Sequence, residues 1–572
     1  MWCAPTSADA ASGAVGAACG VLAVVQRWLV DEECGDARLV VVTERGVGVV
    51  PGEVVDAGAA AVWGLVRSAQ AENPGRITIV DADADAVLTA HTLPSLLATD
   101  EPQLALRGAE LHAPRLTRTA PENSEPVSLD PDGTVLVTGG TGDLGALVAR
   151  HLVHRYGARH LVLVSRSGAR AAGTAELQAE LAAAGAQAEV VSCDVADRAA
   201  VAQLLSAVPA EHPLTGVVHC AGALDDGVIG ALDEQRIGRV FAPKYDALCH
   251  LDELTRESDL ELFVLFSSAA GVLGTPGQGN YAAANAAADA VVRARRAAGL
   301  PGVSMAWGWW GQGSGLTGKL SEADRERFAR GGVVAMSPDE GLALFDAALA
   351  HGDPELVPVK LDVTKLGHVG TLSPLLSGLV AGPAGTARRT AHSGDGRNNT
   401  EALRAKLAAL PGPEQERLLL DLVVSQVATV LGHSRAAGVE ASKPFTALGF
   451  DSLTAVELRN RLSQETGLRL PATLTFDHPT PLALTQFLQT EISPSETQTL
   501  DWAMNEIDKM ESVLSELPPD DAVRARVTDR LRVLLSRAGE PTSEVSGAVL
   551  TEQLQASSSE ELFQFVDRQL GA

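Results

Sequence analysis

Apolar, strand-like runs alternate with helical segments from residue 134 onward, and this alternation restricts the possible folds more than any other feature of the sequence. The runs read TVLVT, HLVLVS, AEVVS, GVVHCAG and LELFVLFSS. Parallel strands require a long crossover, usually a helix, so repeated units of this kind form a doubly wound parallel sheet. The sequence therefore predicts an α/β fold for residues 131–380.

Two earlier apolar runs, at residues 39–43 and 77–81, flank an Ala-rich helical segment and predict a further α/β unit within residues 1–130. This unit has no glycine fingerprint between strand and helix. Proline residues interrupt the pattern before the regular region and indicate a connection between the two units. They are Pro121, Pro126 and Pro131.

The composition changes after the second unit. Residues 381–400 are rich in Gly, Ala, Ser and Arg without apolar periodicity, which is typical of a flexible linker. Helical spacing returns in residues 401–492 and predicts a small all-α domain. Residues 493–572 then contain amphipathic segments that predict a helical tail.

Charge and cysteine usage exclude several classes of function. Acidic residues outnumber basic ones by 72 to 45, and the formal net charge of −27 argues against nucleic acid and anionic membranes. The six cysteines form no CxxC pair and no histidine pair has metal-ligand spacing, so we expect no metal and a reduced, cytoplasmic setting. The apolar run at residues 13–25 lacks a basic leader and predicts an amphipathic helix, not a signal peptide or membrane span.

A glycine-rich motif, TGGTGDLG at residues 138–145, directly follows a strand and opens a helix. In this context Gly139 permits a tight turn, Gly142 lets the backbone approach a pyrophosphate, and Gly145 lets the helix pack closely against the strand. Glycine turns also make ordinary strand-to-helix connections, so the motif alone is weak evidence for a nucleotide site. Its context favours a dinucleotide site.

The next strand ends in Ser165 and Arg166, where an NAD-binding protein would carry an acidic residue. An arginine there suits a 2′-phosphate and favours NADPH over NADH, although a solvated surface arginine is the alternative. Asp194, which closes the third strand, either accepts a hydrogen bond from an adenine amino group or caps the following helix.

A second group of polar residues lies further along the chain. Ser267 and Ser268 end a strand, Tyr281 lies thirteen residues after Ser268, and Asn285 follows one helical turn later. With a free pKa of about 10, tyrosine is a poor acid, so it needs a nearby cation to lower that pKa. Lys244 is the candidate for this cation. Each residue alone reads as half-buried and polar, but together, downstream of the glycine motif, they favour catalysis.

These motifs, with SRSG, CDVAD, HCAG, LDD, FSSAAGVLG and GQGNYAAANA, closely resemble the ketoreductase domain of modular type I polyketide synthases, a branch of the short-chain dehydrogenase/reductase superfamily. The resemblance implies a Rossmann-type fold and use of NADPH. It assigns Tyr281 as proton donor and Ser268 as the carbonyl-orienting group. In that family the lysine and asparagine positions are exchanged relative to simpler reductases, which matches Lys244 and Asn285 as supporting residues. The implied cofactor-binding residues are Thr138, Gly139, Gly142, Asp143, Leu144, Gly145, Ser165, Arg166, Asp194, Val195, Ala221 and Gly222.

Residues 18–118 resemble the later part of the structural subdomain of the same family, through VQRWLVDE, LVVVT and AVWGLVRSAQAENPGR. The subdomain is short at its N-terminal end, which predicts a truncated unit. With no ketosynthase or acyltransferase sequence before it, we expect either a fragment of a larger synthase or a short subunit. A half-built sheet would expose an edge and destabilise the catalytic half. The alternative function is therefore a carrier and docking module whose reductase is an inactive remnant.

The resemblance extends to stereochemistry. Leu224, Asp225 and Asp226 match the LDD motif of B-type members and imply a D-configured β-hydroxyl, whereas two aspartates that merely cap a helix are the alternative. A-type members have a tryptophan where this chain has Leu273, and the epimerising B2 class has a proline where it has Ala283, which favours B1. Three tryptophans either border the site, before a Gly-rich lid, or pack in the core: Trp307, Trp309 and Trp310.

A serine motif marks the small helical domain. Ser452 follows Asp451 at the start of an amphipathic helix, where a phosphate is electrostatically favourable, although a plain N-cap is the alternative. There is no GxSxG elbow for a nucleophile. The run FTALGFDSLTAVELRNRL closely resembles acyl carrier proteins of the same synthases, where this serine bears 4′-phosphopantetheine. A flexible arm attached at Ser452 would carry an acyl thioester into the reductase, and the linker would let the carrier domain travel.

The tail resembles the C-terminal docking segment that joins one polyketide synthase polypeptide to the next. An apolar stripe in its first helical segments suits self-association and predicts a homodimer. The last segment, SSEELFQFVDRQL, is acidic and amphipathic, and suits a basic groove on a downstream polypeptide. A tail helix that folds back on its own domain is the alternative.

The sequence therefore predicts an NADPH-dependent reductase, a carrier domain and a docking tail. The predicted reaction converts a β-ketoacyl thioester on Ser452 into a β-hydroxyacyl thioester during polyketide biosynthesis.

Overall fold

A computed structural model gives the architecture of the chain. It describes residues 2–3, 10–31, 34, 37–50, 52–83, 92–99, 101–119, 128–311, 325, 329–366, 373–380, 402–407, 409–432, 438–471 and 473–492. The strands are β1 (Trp2–Cys3), β2 (Leu39–Thr43), β3 (Ile77–Ala82), β4 (Gln103–Arg107), β5 (Glu110–His112), β6 (Thr134–Thr138), β7 (His160–Ser165), β8 (Gln187–Ser192), β9 (Leu214–His219), β10 (Leu262–Ser268), β11 (Val303–Trp307), β12 (Val333–Val334), β13 (Glu355–Leu356) and β14 (Lys360–Leu361).

Helices connect these strands and form the small C-terminal bundle. They are α1 (Ala10–Val30), α2 (Ala57–Glu72), α3 (Thr92–Leu97), α4 (Asp143–Tyr156), α5 (Thr174–Ala183), α6 (Arg198–Ser206), α7 (Glu234–Phe241), α8 (Ala247–Leu254), α9 (Ala270–Leu273), α10 (Gly279–Ala297), α11 (Pro338–Leu349), α12 (Val363–Leu366), α13 (Ser377–Val380), α14 (Gly412–Val430), α15 (Ser452–Thr466), α16 (Leu474–Asp477) and α17 (Pro481–Ile492).

The regular part of the chain forms a seven-stranded sheet in the order β13-β11-β10-β9-β6-β7-β8, and all its pairs are parallel. The predicted α/β, Rossmann-type fold is therefore confirmed. Strand β6 pairs with both β7 and β9, so the chain winds first to one side of β6 and then to the other. A crevice forms at such a switch point beyond the carboxyl ends of the strands, and ligands bind there in sheets of this kind.

The N-terminal part forms a second sheet in the order β1-β2-β3-β4-β5. Its first three pairs are parallel, and β4 pairs with β5 antiparallel. Every residue of β2 and β3 is buried, as the continuous apolar runs predict. Sequence analysis found β2 and β3 but missed β4 and β5, because QLALR and ELH are short and partly polar.

Helices α2 and α10 join the two sheets through very close packing. A Cβ added to Gly64 of α2 would lie 2.3 Å from the carbonyl oxygen of Ala282 in α10. Alanines line both helices at this point, and small residues let two helix backbones approach one another. The guanidinium of Arg67 adds a hydrogen bond of 2.7 Å to the carbonyl of Gly271. The N-terminal unit therefore supports the helix that begins at Gly279 and carries Tyr281.

We expect Gly64→Val to lower the free energy of unfolding of this part of the chain by about 3 kcal/mol, because its side chain would overlap backbone that cannot move aside. Thermal and urea unfolding measure the loss. Gly16→Val, in α1, is the matched control, since a Cβ at Gly16 meets no atom within 4 Å. Equal stability of the two variants would contradict the close approach of α2 and α10.

Helix α1 is the apolar N-terminal segment of the sequence analysis. Residues 13–30 are long and apolar enough to cross a membrane, by length and composition. In the structure, however, Ala14, Ala18, Val21 and Val25 are fully buried in the core shared with α2. One face of α1 therefore packs in the protein core.

The C-terminal part forms a bundle of α14, α15, α16 and α17 around an apolar core. Its fully buried side chains include Val423, Val427, Leu458, Leu462 and Leu484. The small all-α domain is confirmed. The predicted linker at residues 381–400 and tail at residues 493–572 lie outside the described residues.

Candidate active site and carrier serine

The glycine motif forms a tight loop between β6 and α4. Gly139 has a φ of +66°, and a Cβ there would lie 3.0 Å from the backbone nitrogen of Ala221. A Cβ on Gly145 would lie only 2.3 Å from the carbonyl oxygen of Gly139. Gly142 is the N-cap of α4 and has no side chain to cap the first N–H groups of the helix. Those groups and the positive end of the helix dipole therefore remain available to an anion.

A cavity of about 330 Å³ opens beside this loop at the switch point of the sheet. Eleven of the twelve residues predicted to bind the cofactor line it, from Gly139 to Gly222. Thr138 is the exception, because its side chain is fully buried behind the loop. The cavity also takes in residues that sequence analysis did not name: Thr141, Val164, Ser167, Cys193, Cys220 and Pro243.

The rim of the cavity contains Arg166, whose side chain is exposed. The neighbouring Ser165 hydroxyl accepts a hydrogen bond of 3.0 Å from the backbone of Gly168. Asp194 accepts one of 3.1 Å from the backbone of Ala196, whereas the N-cap of α6 is Asp197. The helix-capping alternative for Asp194 is therefore wrong.

Tyr281, Ser268 and Asn285 come together next to this region. The side chains of Ser268 and Asn285 lie close enough to the Tyr281 phenol to lower its pKa. Burial nevertheless raises the pKa of Tyr281 above its usual value, and the two polar side chains only partly offset this effect. The Asn285 amide nitrogen also donates to the Tyr281 carbonyl at 2.8 Å, one helical turn back.

Lys244 lies in a turn of π-helix at Ala242–Asp246 and is 3% exposed. Its Nζ donates a hydrogen bond of 2.8 Å to the carbonyl of Phe266, two residues before Ser268. Burial lowers the pKa of Lys244 to about 8, so the ammonium remains mostly charged at neutral pH. A Cβ on Gly222 would lie 3.2 Å from Cε of Lys244, which places the lysine under the wall of the cavity.

His219 is a residue that sequence analysis missed. It is fully buried at the end of β9, and burial lowers its pKa to about 3, so it is neutral. Nε2 lies 3.0 Å from the carbonyl of Lys244 and Nδ1 lies 2.7 Å from the hydroxyl of Thr138. Because a carbonyl only accepts, Nε2 carries the proton and Nδ1 accepts from Thr138. The HCAG motif contained this histidine, but no local pattern revealed its two partners.

We expect His219→Leu to lower the free energy of unfolding by about 2 to 3 kcal/mol, because it leaves a buried carbonyl and a buried hydroxyl without their partner. Differential scanning calorimetry measures the change. The matched control is His154→Leu on α4, where the histidine is exposed. A shift no larger than that of the control would contradict this role of His219.

The LDD loop is bound to two helices around the site. The Asp225 carboxylate accepts from Arg236 at 2.9 Å and Arg239 at 3.2 Å, both on α7. The Asp226 carboxylate accepts from Gln278 at 2.8 Å, three residues before Tyr281. Since the N-cap of α7 is Asp233, the helix-capping alternative for the two aspartates is wrong. Leu224 precedes them and is half-buried.

Trp307 and Trp310 pack in the core, with ring centroids 4.8 Å apart, which favours the packing interpretation for these two tryptophans. Trp309 between them is half-buried.

Two further positions bear on the predicted stereochemical type. Ala283 is fully buried against α2, and Leu273 ends the short α9. The predicted lid after Trp310 lies largely outside the described residues.

Ser452 is the first residue of α15 and is exposed. Asp451 is the N-cap, and its carboxylate accepts from the backbone of Leu453 at 3.1 Å and of Thr454 at 2.8 Å. The Thr454 hydroxyl completes a capping box at the Asp451 backbone. The N-cap alternative for Ser452 is therefore wrong, and its hydroxyl is not committed to capping the helix.

A glycine-lined cavity at a switch point, a tyrosine and serine beside it, and an exposed serine on a helix bundle define a short-chain type reductase joined to a carrier domain. Family models agree with both parts. They match a KR domain at residues 133–312, a "Polyketide synthase extender module SpnB, Rossmann fold domain" at residues 1–116, and a phosphopantetheine attachment site at residues 421–488.

Known proteins show the same similarity. The chain is 46% identical over 555 residues to polyketide synthase GfsA of Streptomyces halstedii, covering 96% of this chain and 7% of the relative. It is 47% identical over 408 residues to mycoketide-CoA synthase of Mycobacterium tuberculosis, covering 70% of this chain and 10% of that relative. The chain therefore spans a small part of the curated relatives that it matches.

Solved structures agree in fold. The PlmKR1 ketoreductase from phoslactomycin biosynthesis in Streptomyces sp. HK803 has 33% identity and a TM-score of 0.58, covering 66% of this chain and 93% of that one. An A-type ketoreductase of a modular polyketide synthase has 37% identity and a TM-score of 0.57, covering 63% of this chain and 76% of that one. This chain belongs to the modular polyketide synthase family and contains a ketoreductase domain followed by a carrier domain. The ketoreductase domain implies NADPH, and the carrier domain implies covalent 4′-phosphopantetheine.

Proposed function

We propose that this chain uses NADPH to reduce a β-ketoacyl thioester, held on Ser452, to a β-hydroxyacyl thioester. The observation that carries the proposal is the buried Tyr281 phenol, with the Ser268 and Asn285 side chains close to it, beside a cavity suited to a dinucleotide. Gly222 in the cavity wall lies against Lys244, and Lys244 binds the strand that ends in Ser268. This chain of contacts links the cavity to the polar group.

The residues of the cavity fit the cofactor. Added Cβ atoms at Gly139 and Gly142 would crowd the loop, so its backbone is open to a pyrophosphate only as glycine. The uncapped start of α4 would receive the phosphates, and Arg166 at the rim suits a 2′-phosphate. The bound nicotinamide would supply the hydride.

Each polar side chain then has a definite task. Ser268 donates a hydrogen bond to the substrate carbonyl oxygen and orients it. Tyr281, whose raised pKa keeps the phenol protonated at neutral pH, gives its proton to that oxygen. Asn285 and the charged Lys244 support the tyrosine, and Lys244 also holds the end of β10 through Phe266.

We further propose a D-configured β-hydroxyl of the B1 type. The LDD motif supports it, because Asp226 binds Gln278 near Tyr281 and fixes one loop of the entrance. The alternative of an inactive remnant depended on a half-built structural subdomain. The described subdomain instead has five strands and packs through α2 against α10, which favours an active reductase.

We also propose a homodimer, a downstream partner polypeptide and a cytoplasmic setting. A homodimer and a downstream polypeptide bound by the tail are proposed from the apolar and acidic pattern of residues 493–572. A cytoplasmic setting is supported by free thiols at five cysteines: Cys19, Cys34, Cys193, Cys220 and Cys249.

The proposed reaction can be tested with the purified full chain, NADPH and a soluble β-ketoacyl N-acetylcysteamine thioester. Loss of NADPH absorbance reports turnover, and chiral chromatography resolves the alcohol. We expect turnover to the D-alcohol. The L-alcohol would overturn the stereochemical proposal, and a folded protein without turnover would favour the carrier and docking module.

A further inference from the structure

Carrier helix α15 contacts the C-terminal end of α2 in the structural subdomain. Nη2 of Arg459 donates hydrogen bonds to the carbonyl of Glu72 at 2.5 Å and to Oδ1 of Asn73 at 3.1 Å. The side-chain amide of Asn460 donates to the same Glu72 carbonyl at 2.9 Å. Two neighbouring residues of the carrier therefore bind a single helix end of the reductase.

This contact suits the chemistry of a helix C-terminus. The last carbonyls of a helix have no partner within it, and the negative end of the helix dipole lies there, so a cation and an amide donor both stabilise it. Arg459 is 9% exposed, although its partners belong to another domain. A buried guanidinium is costly unless its donors are hydrogen-bonded, and here one nitrogen binds the Glu72 carbonyl and the Asn73 amide oxygen.

Two more contacts extend this interface. Glu457 of α15 forms an ion pair of 3.1 Å with Arg330, which follows the predicted lid. Leu453, directly after Ser452, lies beside Gly277, where an added Cβ would be 3.4 Å from the leucine side chain. The start of α15 therefore lies next to the loop that leads to Tyr281.

Glu72 connects this interface to the entrance of the active site. Its side chain is 2% exposed, and its two carboxyl oxygens accept from the backbone of Gly277 at 2.9 Å and of Ile229 at 2.8 Å. Gly277 precedes Tyr281 by four residues, and Ile229 follows the LDD loop. One residue thus binds the carrier through its carbonyl and both entrance loops through its carboxyl group.

We propose that Glu72, Asn73, Gly277 and Arg330 form the docking surface on which this chain's own carrier domain delivers its substrate to the reductase, with Arg459 and Glu457 as its principal contacts. This carrier-docking surface holds Ser452 beside the loops that enclose Tyr281. The inference rests on the proposed function, because it concerns how that substrate reaches Tyr281.

The first test compares tethered and soluble substrates in the full chain. Arg459→Ala is expected to slow single-turnover reduction of a β-ketoacyl group loaded on Ser452 about tenfold, because a hydrogen-bonded charge is lost from the interface. Reduction of the soluble N-acetylcysteamine thioester is expected to be unchanged. The matched control is Arg417→Ala on α14, an exposed arginine of the same domain.

Hydrogen–deuterium exchange on the unloaded full chain gives a readout that does not depend on activity. Arg459→Ala is expected to speed exchange in peptides that cover residues 69–76 and 275–279, whereas Arg417→Ala leaves them unchanged. Wild-type exchange and wild-type tethered rates in Arg459→Ala would overturn the docking surface. If the wild type does not reduce the soluble thioester, the proposed reaction fails, and exchange still tests the surface.

A charge exchange separates docking from misfolding. Glu457→Arg is expected to slow tethered reduction, and adding Arg330→Glu is expected to restore much of the rate by reversing the ion pair. Mass spectrometry of phosphopantetheine loading checks that the carrier of each variant is folded. A double variant no faster than Glu457→Arg would count against the proposal.

Discussion

Replacing Tyr281 with phenylalanine is expected to lower kcat for reduction of a soluble β-ketoacyl thioester by about 10²- to 10⁴-fold. The substitution removes the proposed proton donor while keeping the ring, which packs against α2 and its neighbours. NADPH affinity, measured by fluorescence, is expected to change little, because Tyr281 does not line the dinucleotide cavity. The loss is therefore expected in kcat and not in cofactor binding.

Tyr156→Phe is the matched control for this prediction. Tyr156 lies in α4, and its hydroxyl donates to Asp346 at 2.7 Å, away from the proposed site. Removal of this hydroxyl is expected to leave kcat near the wild-type value. A Tyr281→Phe variant with the rate of Tyr156→Phe would exclude Tyr281 as the proton donor.

Replacing Ser452 with alanine is expected to abolish reduction of carrier-bound substrate and to leave reduction of the soluble thioester unchanged. The exposed Ser452 hydroxyl is the proposed point of attachment, whereas Asp451 and Thr454 cap the helix without it. The variant therefore keeps its fold but loses the tether. Intact-protein mass spectrometry, after incubation with a phosphopantetheinyl transferase and coenzyme A, is expected to show no added mass.

Ser463→Ala provides the comparison on the same helix α15. It is expected to accept phosphopantetheine fully and to reduce both substrates. Phosphopantetheine on Ser452→Ala would show that another residue carries the arm. Loss of soluble-substrate reduction in Ser452→Ala would instead show that the change disturbs the reductase itself.

Sequence analysis located the main chemical residues because each belongs to a local pattern. Gly139 and Gly145 occur at fixed spacing between a strand and a helix, and Ser452 follows an aspartate at a helix start. The same patterns left alternatives open for Asp194 and Asp225. The structure resolved these alternatives, because Asp197 and Asp233 proved to be the helix caps.

The sequence alone determined the doubly wound sheet, the glycine loop at its switch point and the carrier helix bundle. These features depend on the periodicity of apolar residues and on the conformational range of glycine, which act over a few residues. Tertiary structure decided the partners of His219 and Lys244 and the contact between Arg459 and Glu72. Arg459 and Glu72 are 387 residues apart, and only the folded chain brings the end of one helix against the side of another. Hydrogen bonds between such distant groups depend on how the elements pack, which no local pattern contains.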